Sequence, residues 1–228
     1  MTINTNLLFE SRLLAGLNVA ARQDILSHVY ELKFSAGQMV MLAHEPCQAV
    51  YLVAEGVLRA FYSSLEGREY VLAYLTRGDF FNADAALSAA GADSATESRF
   101  TVDTLTHATL YAIPCDRFRA LVYQHPRLTI AMLNDLAAEV RRLSDMIEGL
   151  ALHTVRARLA RFLLTRADDK LPQRNWTQGD IAAHIGTVRD VVGRTLREFA
   201  REGLVRRERD RLVVTNQKAL EREAMTSA

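Results

Sequence analysis

Apolar residues occur in short runs along the first half of the chain and recur at helical spacing in the second half. Between about residues 31 and 114 the β-prone runs are VMLA, AVYLVA, VLRAFYS, YVLAYL, FTVDTL and ATLYAI, and glycines separate several of them. Short strands at regular intervals with glycine turns are typical of an all-β barrel or sandwich. Residues 7–30 are predicted to form one or two short helices, and ADAALSAAGADS to form a short helix with a loop.

A long amphipathic helix is predicted to begin at Pro126. The apolar residues on one side of it follow one another at steps of three and four: Leu133, Leu136, Val140, Leu143, Ile147 and Leu150. This is the a/d spacing of a coiled-coil seam, which fits a facing helix. A helix packed on its own domain is the alternative, and it usually has a wider apolar stripe. We therefore predict that these six residues form a homodimer interface.

Two short helices joined by a glycine turn are predicted in the C-terminal third. Thr177 followed by Asp180 has the spacing of a capping box that starts the first helix, and Gly186 is placed to end that helix. Thr187 with Asp190 repeats the capping spacing at the start of the second helix. Two helices connected in this way form a helix-turn-helix.

The second of these helices has one apolar and one polar side. The apolar side holds Val188, Val191, Val192, Thr195, Leu196 and Phe199, and the polar side Arg189, Asp190, Gly193, Arg194, Arg197 and Arg201. A helix can lie in the DNA major groove, where Arg donates two hydrogen bonds to guanine and Asp accepts one from cytosine. We predict that Arg189, Asp190 and Arg194 read bases, that Asp190 could instead cap its own helix, and that Gly193 lets the DNA come close.

Two β-prone runs, Leu204–Arg206 and Leu212–Thr215, follow the second helix and flank a charged turn. We predict that they form the wing of a winged helix-turn-helix. Contacts with DNA phosphates set the register and affinity of a complex but carry no sequence information. The residues predicted to make such contacts are Thr177, Thr187, Arg197, Arg206, Arg207, Arg209 and Arg211.

The charges of the chain are unevenly distributed. Residues 1–150 contain 12 Lys and Arg against 17 Asp and Glu, whereas residues 151–228 contain 16 against 10. A basic C-terminal third is expected of a protein that binds a polyanion. An ordinary solvated surface would not require this segregation, and we predict double-stranded DNA as the partner.

The composition excludes several classes of protein. A hydrophobic content of 49% and a charged content of 24% are those of a globular protein. No apolar run approaches the ~18 residues of a membrane span, and the N-terminus lacks the pattern of a signal peptide, so we expect a cytoplasmic protein without a membrane partner. Cys47 and Cys115 are far apart in the sequence, so no disulfide framework or cysteine-rich metal site is expected.

A cupin-like metalloenzyme is the alternative from a different functional class. Catalytic barrels of that kind hold a metal with clustered His and Glu, whereas His44-Glu45 is the only neighbouring pair of this type here. P-loop, dinucleotide-binding and GxSxG motifs are absent as well. We therefore predict no catalytic residue, no metal ligand and no enzymatic activity. A nucleotide-binding module acting through protein partners is a further alternative, and the basic winged segment argues against it.

The order of β-barrel, long helix and winged helix-turn-helix resembles the Crp/Fnr superfamily of bacterial transcription regulators over nearly the whole chain. Residues 49–81 resemble the β-roll core of that family, and TVRDVVGRTL resembles its recognition helix. The resemblance implies an α+β fold with an N-terminal cyclic-nucleotide-binding-type β-roll (jelly roll), over residues 1–125. It also implies a dimerisation helix over 126–152 and a winged helix-turn-helix over 153–228.

The same resemblance implies a role for particular side chains. Arg189 and Arg194 would read guanines, and Asp190 would stand where many members place a Glu facing cytosine. A homodimer would bind a palindromic operator, with RNA polymerase as a further partner.

The region that corresponds to the family's effector pocket departs from the pattern that binds cyclic AMP. Members that bind cyclic AMP carry Gly-Glu after the GDF segment and Arg-Ser or Arg-Thr on the next strand, whereas this chain has Asn82-Ala83 and Ser98-Arg99. Because the Glu is missing and Arg99 is one residue out of register, the cyclic phosphate would lack its counter-charge. We predict an effector other than cyclic AMP, or none, and no required cofactor.

Two alternatives within the family stay open. One is a member that responds to a cyclic nucleotide or to haem, with candidate ligands His28, His44, His107 and His125. The other is redox sensing through Cys47 or Cys115.

Overall fold

The computed structural model of the protein describes residues 3–87, 97–167, 176–208 and 211–226. Its helices are α1 (Thr5–Glu10), α2 (Val19–His28), α3 (Ala83–Leu87), α4 (Cys115–Gln124), α5 (Pro126–Leu152), α6 (Val155–Ala167), α7 (Gln178–Ile185), α8 (Arg189–Arg201) and α9 (Gln217–Ala224). Its strands are β1 (Tyr30–Phe34), β2 (Met39–Met41), β3 (Ala49–Glu55), β4 (Leu58–Ser63), β5 (Glu69–Leu75), β6 (Phe80–Phe81), β7 (Thr101–Thr104), β8 (Ala108–Pro114), β9 (Val205–Glu208) and β10 (Arg211–Val214).

The chain divides into two compact units. Unit 1 consists of residues 1–62 and 72–140, and unit 2 consists of residues 63–71 and 141–228. Helix α5 contributes to both units, because the division falls within it after Val140.

Unit 1 is built on two four-stranded sheets, with strand orders β1-β8-β3-β6 and β2-β7-β4-β5. Strand β3 is covered on both faces and all but its last residue are buried. Val50 and Leu52 point to a helical layer, whereas Tyr51 and Val53 point to the space between the sheets. This alternation follows from the two-residue period of a strand. The predicted β-roll is confirmed.

The helical layer covers the outer face of the first sheet. The large side chains that are fully buried between this layer and the sheet are Leu8, Leu13, Leu14, Ile25, Leu52, Ile113, Phe118, Leu121 and Leu128. Helices α1 and α2 each begin at an asparagine whose side chain caps the helix, since Asn4 accepts from the Leu7 amide and Asn18 from the Ala21 amide. Helix α5 begins at Pro126 as predicted, because a first helical position needs no N–H donor.

Unit 2 has a separate apolar core beneath its helix-turn-helix. Val192 and Phe199 of α8 are fully buried in it, together with Leu159 of α6 and Leu220 of α9. Strands β9 and β10 pair antiparallel at the edge of this core. The predicted winged helix-turn-helix is confirmed.

The two cysteines are joined in a disulfide, so the expectation of no disulfide framework is wrong. Cys47 lies two residues before β3 and Cys115 directly follows β8, and these neighbouring antiparallel strands pair Ala49 with Pro114. The Cα atoms of the two cysteines lie 6.4 Å apart although 68 positions separate them in sequence. Sequence distance was a poor guide because strand pairing brings the two chain segments together.

Replacement of Leu110 by alanine should destabilise unit 1. Leu110 lies in β8 and is fully buried between the sheets, and truncation of such a side chain costs about 2–5 kcal/mol. We expect this loss in the free energy of unfolding, measured by circular dichroism in urea. Val19→Ala is the control, since the Val19 side chain is 72% exposed and its truncation should change stability by less than about 0.5 kcal/mol. Equal stability of the two variants would contradict this description of the core.

Candidate nucleic-acid interface

Helix α7 begins with the capping box that the sequence predicts. The Thr177 hydroxyl accepts a hydrogen bond from the Asp180 amide at 3.1 Å, and the Asp180 carboxylate accepts one from the Thr177 amide at 3.0 Å. The Thr177 hydroxyl also donates to this carboxylate at 2.8 Å. Thr177, a predicted phosphate ligand, is exposed. Its hydroxyl is already hydrogen-bonded within the first turn of α7.

Gly186 ends α7 in the left-handed conformation, with φ of 67°. A Cβ atom at this position would lie 2.8 Å from Leu150 Cδ2 and 3.0 Å from Tyr70 Cε2. Arg158 of α6 donates to the carbonyl of Ile185 at 2.9 Å and to that of Gly186 at 3.3 Å. Burial lowers the pKa of Arg158. This arginine therefore stabilises the turn rather than contributing to an exposed basic surface.

The predicted capping of α8 by Thr187 is wrong. The N-cap residue is Val188, which has extended backbone geometry and no side-chain capping bond. Thr187 instead donates its amide to the carbonyl of Ala182 at 3.0 Å, so it belongs to the end of α7. Asp190 makes no capping hydrogen bond in the part of the chain that the structure describes, and its side chain is exposed.

The expectation that Gly193 faces the DNA is also wrong. Gly193 is buried, and a Cβ atom there would lie 2.9 Å from Oε1 of Gln178, the first residue of α7. The missing side chain leaves room for the Gln178 side chain of α7 against α8. Gly193 therefore acts in the packing of the two helices, which holds the opposite face of α8 towards solvent.

The solvent-facing side of α8 carries a concentrated positive charge. Its side chains Arg189, Asp190, Arg194, Arg197 and Arg201 are all exposed. Within the described ranges none of these five side chains takes part in an ion pair or hydrogen bond with the protein. We call these five residues the basic face. They remain available to a ligand, and four of the five are cations.

Glu198 of α8 and Glu202, which directly follows the helix, are turned away from the basic face and bind Arg156 of α6. Arg156 contacts Glu198 at 3.6 Å, forms an ion pair with Glu202, and donates to Glu223 of α9 at 2.7 Å. Its guanidinium lies 4.7 Å from the centroid of the Phe199 ring. Hydrogen bonds to Glu223 and Glu202 raise the pKa of Arg156. Glu198 and Glu202 are thus paired inside unit 2, and Asp190 is the one acidic member of the basic face.

The structural role of the arginines of α6 was not predicted from the sequence. Arg156 and Arg158 are engaged as described above, and Arg161 donates to the carbonyl of Ala224 at 2.8 Å. Part of the basic excess of residues 151–228 therefore supports the fold. A pattern in the sequence indicated such a role. Glu198 and Glu202 are four residues apart at the end of α8, and two like charges at this spacing repel each other unless a cation pairs with them.

The remaining predicted phosphate ligands lie in the wing. Arg206 is exposed on β9 and pairs with Val213 of β10. Arg207 and Arg211 belong to β9 and β10, and only their backbone positions are described. Arg209 lies outside the described residues.

Two family profiles match the chain over most of its length. Residues 31–125 match a profile described as a cyclic nucleotide-binding domain, and residues 157–223 match a Crp-like helix-turn-helix domain. The chain belongs to the Crp/Fnr family of transcription regulators. The two profiles coincide with the β-roll and with the domain that carries the basic face.

Known proteins similar to this regulator include curated sequences and solved structures. The cAMP-activated global transcriptional regulator Vfr of Pseudomonas aeruginosa is 25% identical over 79% of this chain and 87% of its own length. The transcriptional regulator LdrP of Thermus thermophilus is 29% identical over 84% of this chain and 95% of its own length. A Crp/Fnr family structure from Eubacterium rectale, 24% identical, superimposes with a TM-score of 0.80 over 94% of this chain and 98% of its own.

In this regulator the residues of the predicted effector pocket fall into two groups. Asn82 and Ser98 are buried, and the Ser98 hydroxyl donates to the Asn82 side-chain carbonyl at 3.1 Å. The Asn82 amide group donates to the carbonyl of Ala49 at 3.0 Å. Ala83 is buried as the first residue of α3, whereas the Arg99 side chain is exposed. The structure thus brings Asn82 and Ser98 together and leaves Arg99 apart from them.

The apolar seam of α5 is largely uncovered in the regulator's single chain. Leu133, Val140 and Ile147 are at least 60% exposed. Leu143 and Leu150 are less exposed than these three, and Leu136 is half-buried. A contiguous exposed apolar stripe of this kind is typical of an interaction surface.

The described residues contain no candidate for a metal site or a membrane-spanning helix. Among the described residues no group of three or more His, Cys, Asp or Glu is placed to hold a metal ion. His28 lies 3.5 Å from Asp24, and His44 lies 3.5 Å from Glu97. Of the helices that the structure describes, none combines the length and apolar character needed to cross a membrane.

Replacement of Gly186 by alanine should weaken the helix-turn-helix. The left-handed conformation costs a residue with a Cβ about 1–2 kcal/mol, and the added atom would press on Leu150 and Tyr70. We expect at least this loss in the free energy of unfolding of unit 2, followed in urea by the fluorescence of Trp176. This single tryptophan of the chain packs on Phe162, with ring centroids 5.2 Å apart.

Gly179→Ala is the matched control. Gly179 lies inside α7, and a Cβ atom there would make an ordinary contact with Thr177 Oγ1 at 3.6 Å. Alanine is the better helix former, by up to about 1 kcal/mol, so this variant should be as stable as wild type or more stable. A stable Gly186→Ala protein would show that the turn does not need the left-handed glycine.

Proposed function

We propose that this regulator binds a palindromic DNA operator as a homodimer, with α8 of each protomer in the major groove. The basic face of α8 carries the proposal, since its side chains are exposed and unengaged while Glu198 and Glu202 are bound to Arg156. Arg189 and Arg194 would each donate two hydrogen bonds to a guanine, and Asp190 would accept one from a cytosine. The absence of a capping bond leaves both oxygens of Asp190 available for this.

The phosphate backbone would be held on both sides of α8. The residues proposed for these contacts are Thr177, Thr187, Arg197, Arg206, Arg207, Arg209 and Arg211. Arg197 is exposed on the basic face and Arg206 is exposed on the wing strand β9, so the two are on different elements of unit 2. Phosphate contacts from two elements would set the register of α8 in the groove.

The homodimer would form through the seam of α5. Two copies of the exposed stripe Leu133, Leu136, Val140, Leu143, Ile147 and Leu150 would cover each other as the a/d positions of a two-stranded coiled coil. A twofold dimer presents two recognition helices to successive turns of DNA, which matches a palindrome with half-sites about 34–36 Å apart.

The effector is proposed to be something other than cyclic AMP, or to be absent. The relative from Pseudomonas aeruginosa is described as cAMP-activated. In this chain the buried polar atoms of Asn82 and Ser98 bond to each other, and the exposed Arg99 offers no buried counter-charge to a cyclic phosphate. No haem or other cofactor is required by this proposal.

The proposal gives the chain no catalytic role. It places the regulator in the bacterial cytoplasm, where its DNA lies, with RNA polymerase as a further partner. Contact with polymerase would decide whether a bound gene is activated or repressed.

Removal of a base-reading arginine should weaken specific binding. We expect Arg189→Ala and Arg194→Ala each to lose about 1–3 kcal/mol, or 5- to 150-fold in Kd, and to relax the preference at one base pair. The probe is a fluorescent duplex selected by the wild-type protein from a random-sequence pool, and the measurement is fluorescence anisotropy across a salt series. Arg197→Ala should instead weaken all sequences alike and lower the magnitude of the salt slope by about 0.9.

Arg77→Ala is the control, because it removes an equally exposed positive charge from unit 1 and should leave the Kd unchanged. Added cyclic AMP should also leave it unchanged. Failure of the wild-type protein to enrich any sequence, or wild-type affinity in both Arg189→Ala and Arg194→Ala, would refute the assignment of the basic face.

A charge in the seam of α5 should dissociate the dimer. Ile147 is 66% exposed in the single chain, so Ile147→Glu should preserve the fold while placing two like charges in the desolvated dimer interface. Sedimentation velocity should show a dimer for wild type and a monomer for the variant. Val19→Glu, on an equally exposed apolar position of α2, should remain dimeric. A monomeric wild-type protein would rule out this interface.

A further inference from the structure

The disulfide between Cys47 and Cys115 lies among residues that connect the effector region to the long helix. Cys47 is half-buried in the loop before β3, whereas Cys115 is 6% exposed and is the first residue of α4. The Asn82 side chain donates to the Cys47 sulfur at 3.5 Å. The cysteine pair thus contacts the same Asn82 that bonds to Ser98.

A disulfide is unusual for a protein that works on bacterial DNA. Thiol reductants keep most cysteines reduced in the cytosol, and the disulfides that do form there are mostly transient and catalytic or redox-sensing. A disulfide between the only two cysteines of the chain therefore indicates a role other than permanent stabilisation of the fold.

We propose that Cys47 and Cys115 form a reversible dithiol–disulfide pair that changes the DNA affinity of this regulator. The partner molecules are a dithiol reductant and a peroxide oxidant. The link to DNA affinity rests on the function proposed above, whereas the redox chemistry of the pair does not.

The geometry favours attack on Cys47 during reduction. Its sulfur is the more accessible of the two, so a reductant thiolate bonds to it and displaces Cys115 as a thiolate. The leaving sulfur is then at the first turn of α4, whose N-cap residue Pro114 provides no side-chain capping bond, and the helix N-terminus stabilises its negative charge. The second thiol of the reductant releases Cys47, so the reductant becomes a disulfide and its two protons pass to the two cysteines.

Peroxide reverses the change. The Cys47 thiolate attacks the O–O bond of hydrogen peroxide and takes up one oxygen, with release of one water after protonation. The Cys115 thiol then displaces the hydroxyl of the Cys47 sulfenic acid as a second water, and the disulfide forms. Two thiols and one peroxide thus give one disulfide and two waters.

The pair is linked to α5 through α4. Cys115 shares an apolar cluster with Phe118 of α4 and with Leu128 and Met132 of α5. Helices α4 and α5 are separated by one residue, and the Thr129 hydroxyl of α5 donates to the carbonyl of Val122 in α4 at 2.5 Å. Breaking the disulfide frees the Cys47 loop from α4 and changes the support of the first turns of α5, the helix that carries the proposed dimer seam.

Thiol labelling tests the chemistry. Wild-type protein is equilibrated without denaturant at graded ratios of reduced to oxidised dithiothreitol, then trapped with a maleimide of defined mass. As the buffer becomes more oxidising, we expect a single transition from two labelled cysteines per chain to none. The oxidised protein should have the mass of a monomer on a non-reducing gel. One equivalent of peroxide should convert the reduced protein back to the unlabelled form. Two labelled cysteines under fully oxidising conditions would overturn the proposal, and so would a disulfide that yields only after denaturation.

Anisotropy with the selected duplex tests the coupling. Couplings between sites are commonly 5- to 150-fold, so we expect the two wild-type forms to differ at least about fivefold in Kd. Cys47→Ser, with the more exposed cysteine replaced, should bind DNA with one affinity in both buffers. Equal affinity of the two wild-type forms would overturn the switch while leaving the proposed function intact.

Hydrogen exchange keeps the test independent of DNA binding. If neither form binds any duplex, the proposed function fails and the switch is judged by amide exchange in residues 42–48 and 115–132. Faster exchange there in the reduced wild type, with no such difference between buffers for Cys47→Ser, would support the coupling. Identical exchange in the two forms would refute it.

Discussion

Burial of one side of α8 is the interaction on which the rest of unit 2 depends. Val192 and Phe199 are fully buried in the core of this unit, and Arg156 lies over the Phe199 ring while it binds Glu198 and Glu202. These contacts determine the rotation of α8 about its axis. They leave the side of the helix that carries Arg189, Asp190 and Arg194 in solvent, whereas Gly193 is buried beside the Gln178 side chain of α7.

The pairing of β3 with β8 has the same importance for unit 1. It brings Cys47 to Cys115 and pairs Ala49, whose carbonyl accepts from Asn82, with Pro114. Among the described residues, Asn82 is hydrogen-bonded to Ser98 and to Ala49 next to a disulfide. A chemical signal that acts on sulfur fits this arrangement better than a charged nucleotide does.

Helix α5 combines two kinds of surface in one element. Leu128 and Met132 are buried in the core of unit 1, whereas Leu133, Val140 and Ile147 are uncovered. The buried residues anchor the start of the helix, and the seam begins one residue later. The proposed redox pair is thus connected to the seam through α4 and the single helix α5.

The family resemblance implied the fold class, whereas the residues themselves predicted the start of α5, both ends of α7 and the one-sided charge of α8. These follow from local patterns: apolar periodicity, a capping box at Thr177 and a left-handed glycine at Gly186. Tertiary structure alone decided the burial of Gly193, the capping of α8, the structural role of Arg156 and the disulfide between Cys47 and Cys115. Each of these depends on contacts between segments that are distant in the chain, and local spacing contains no information about which segments will meet.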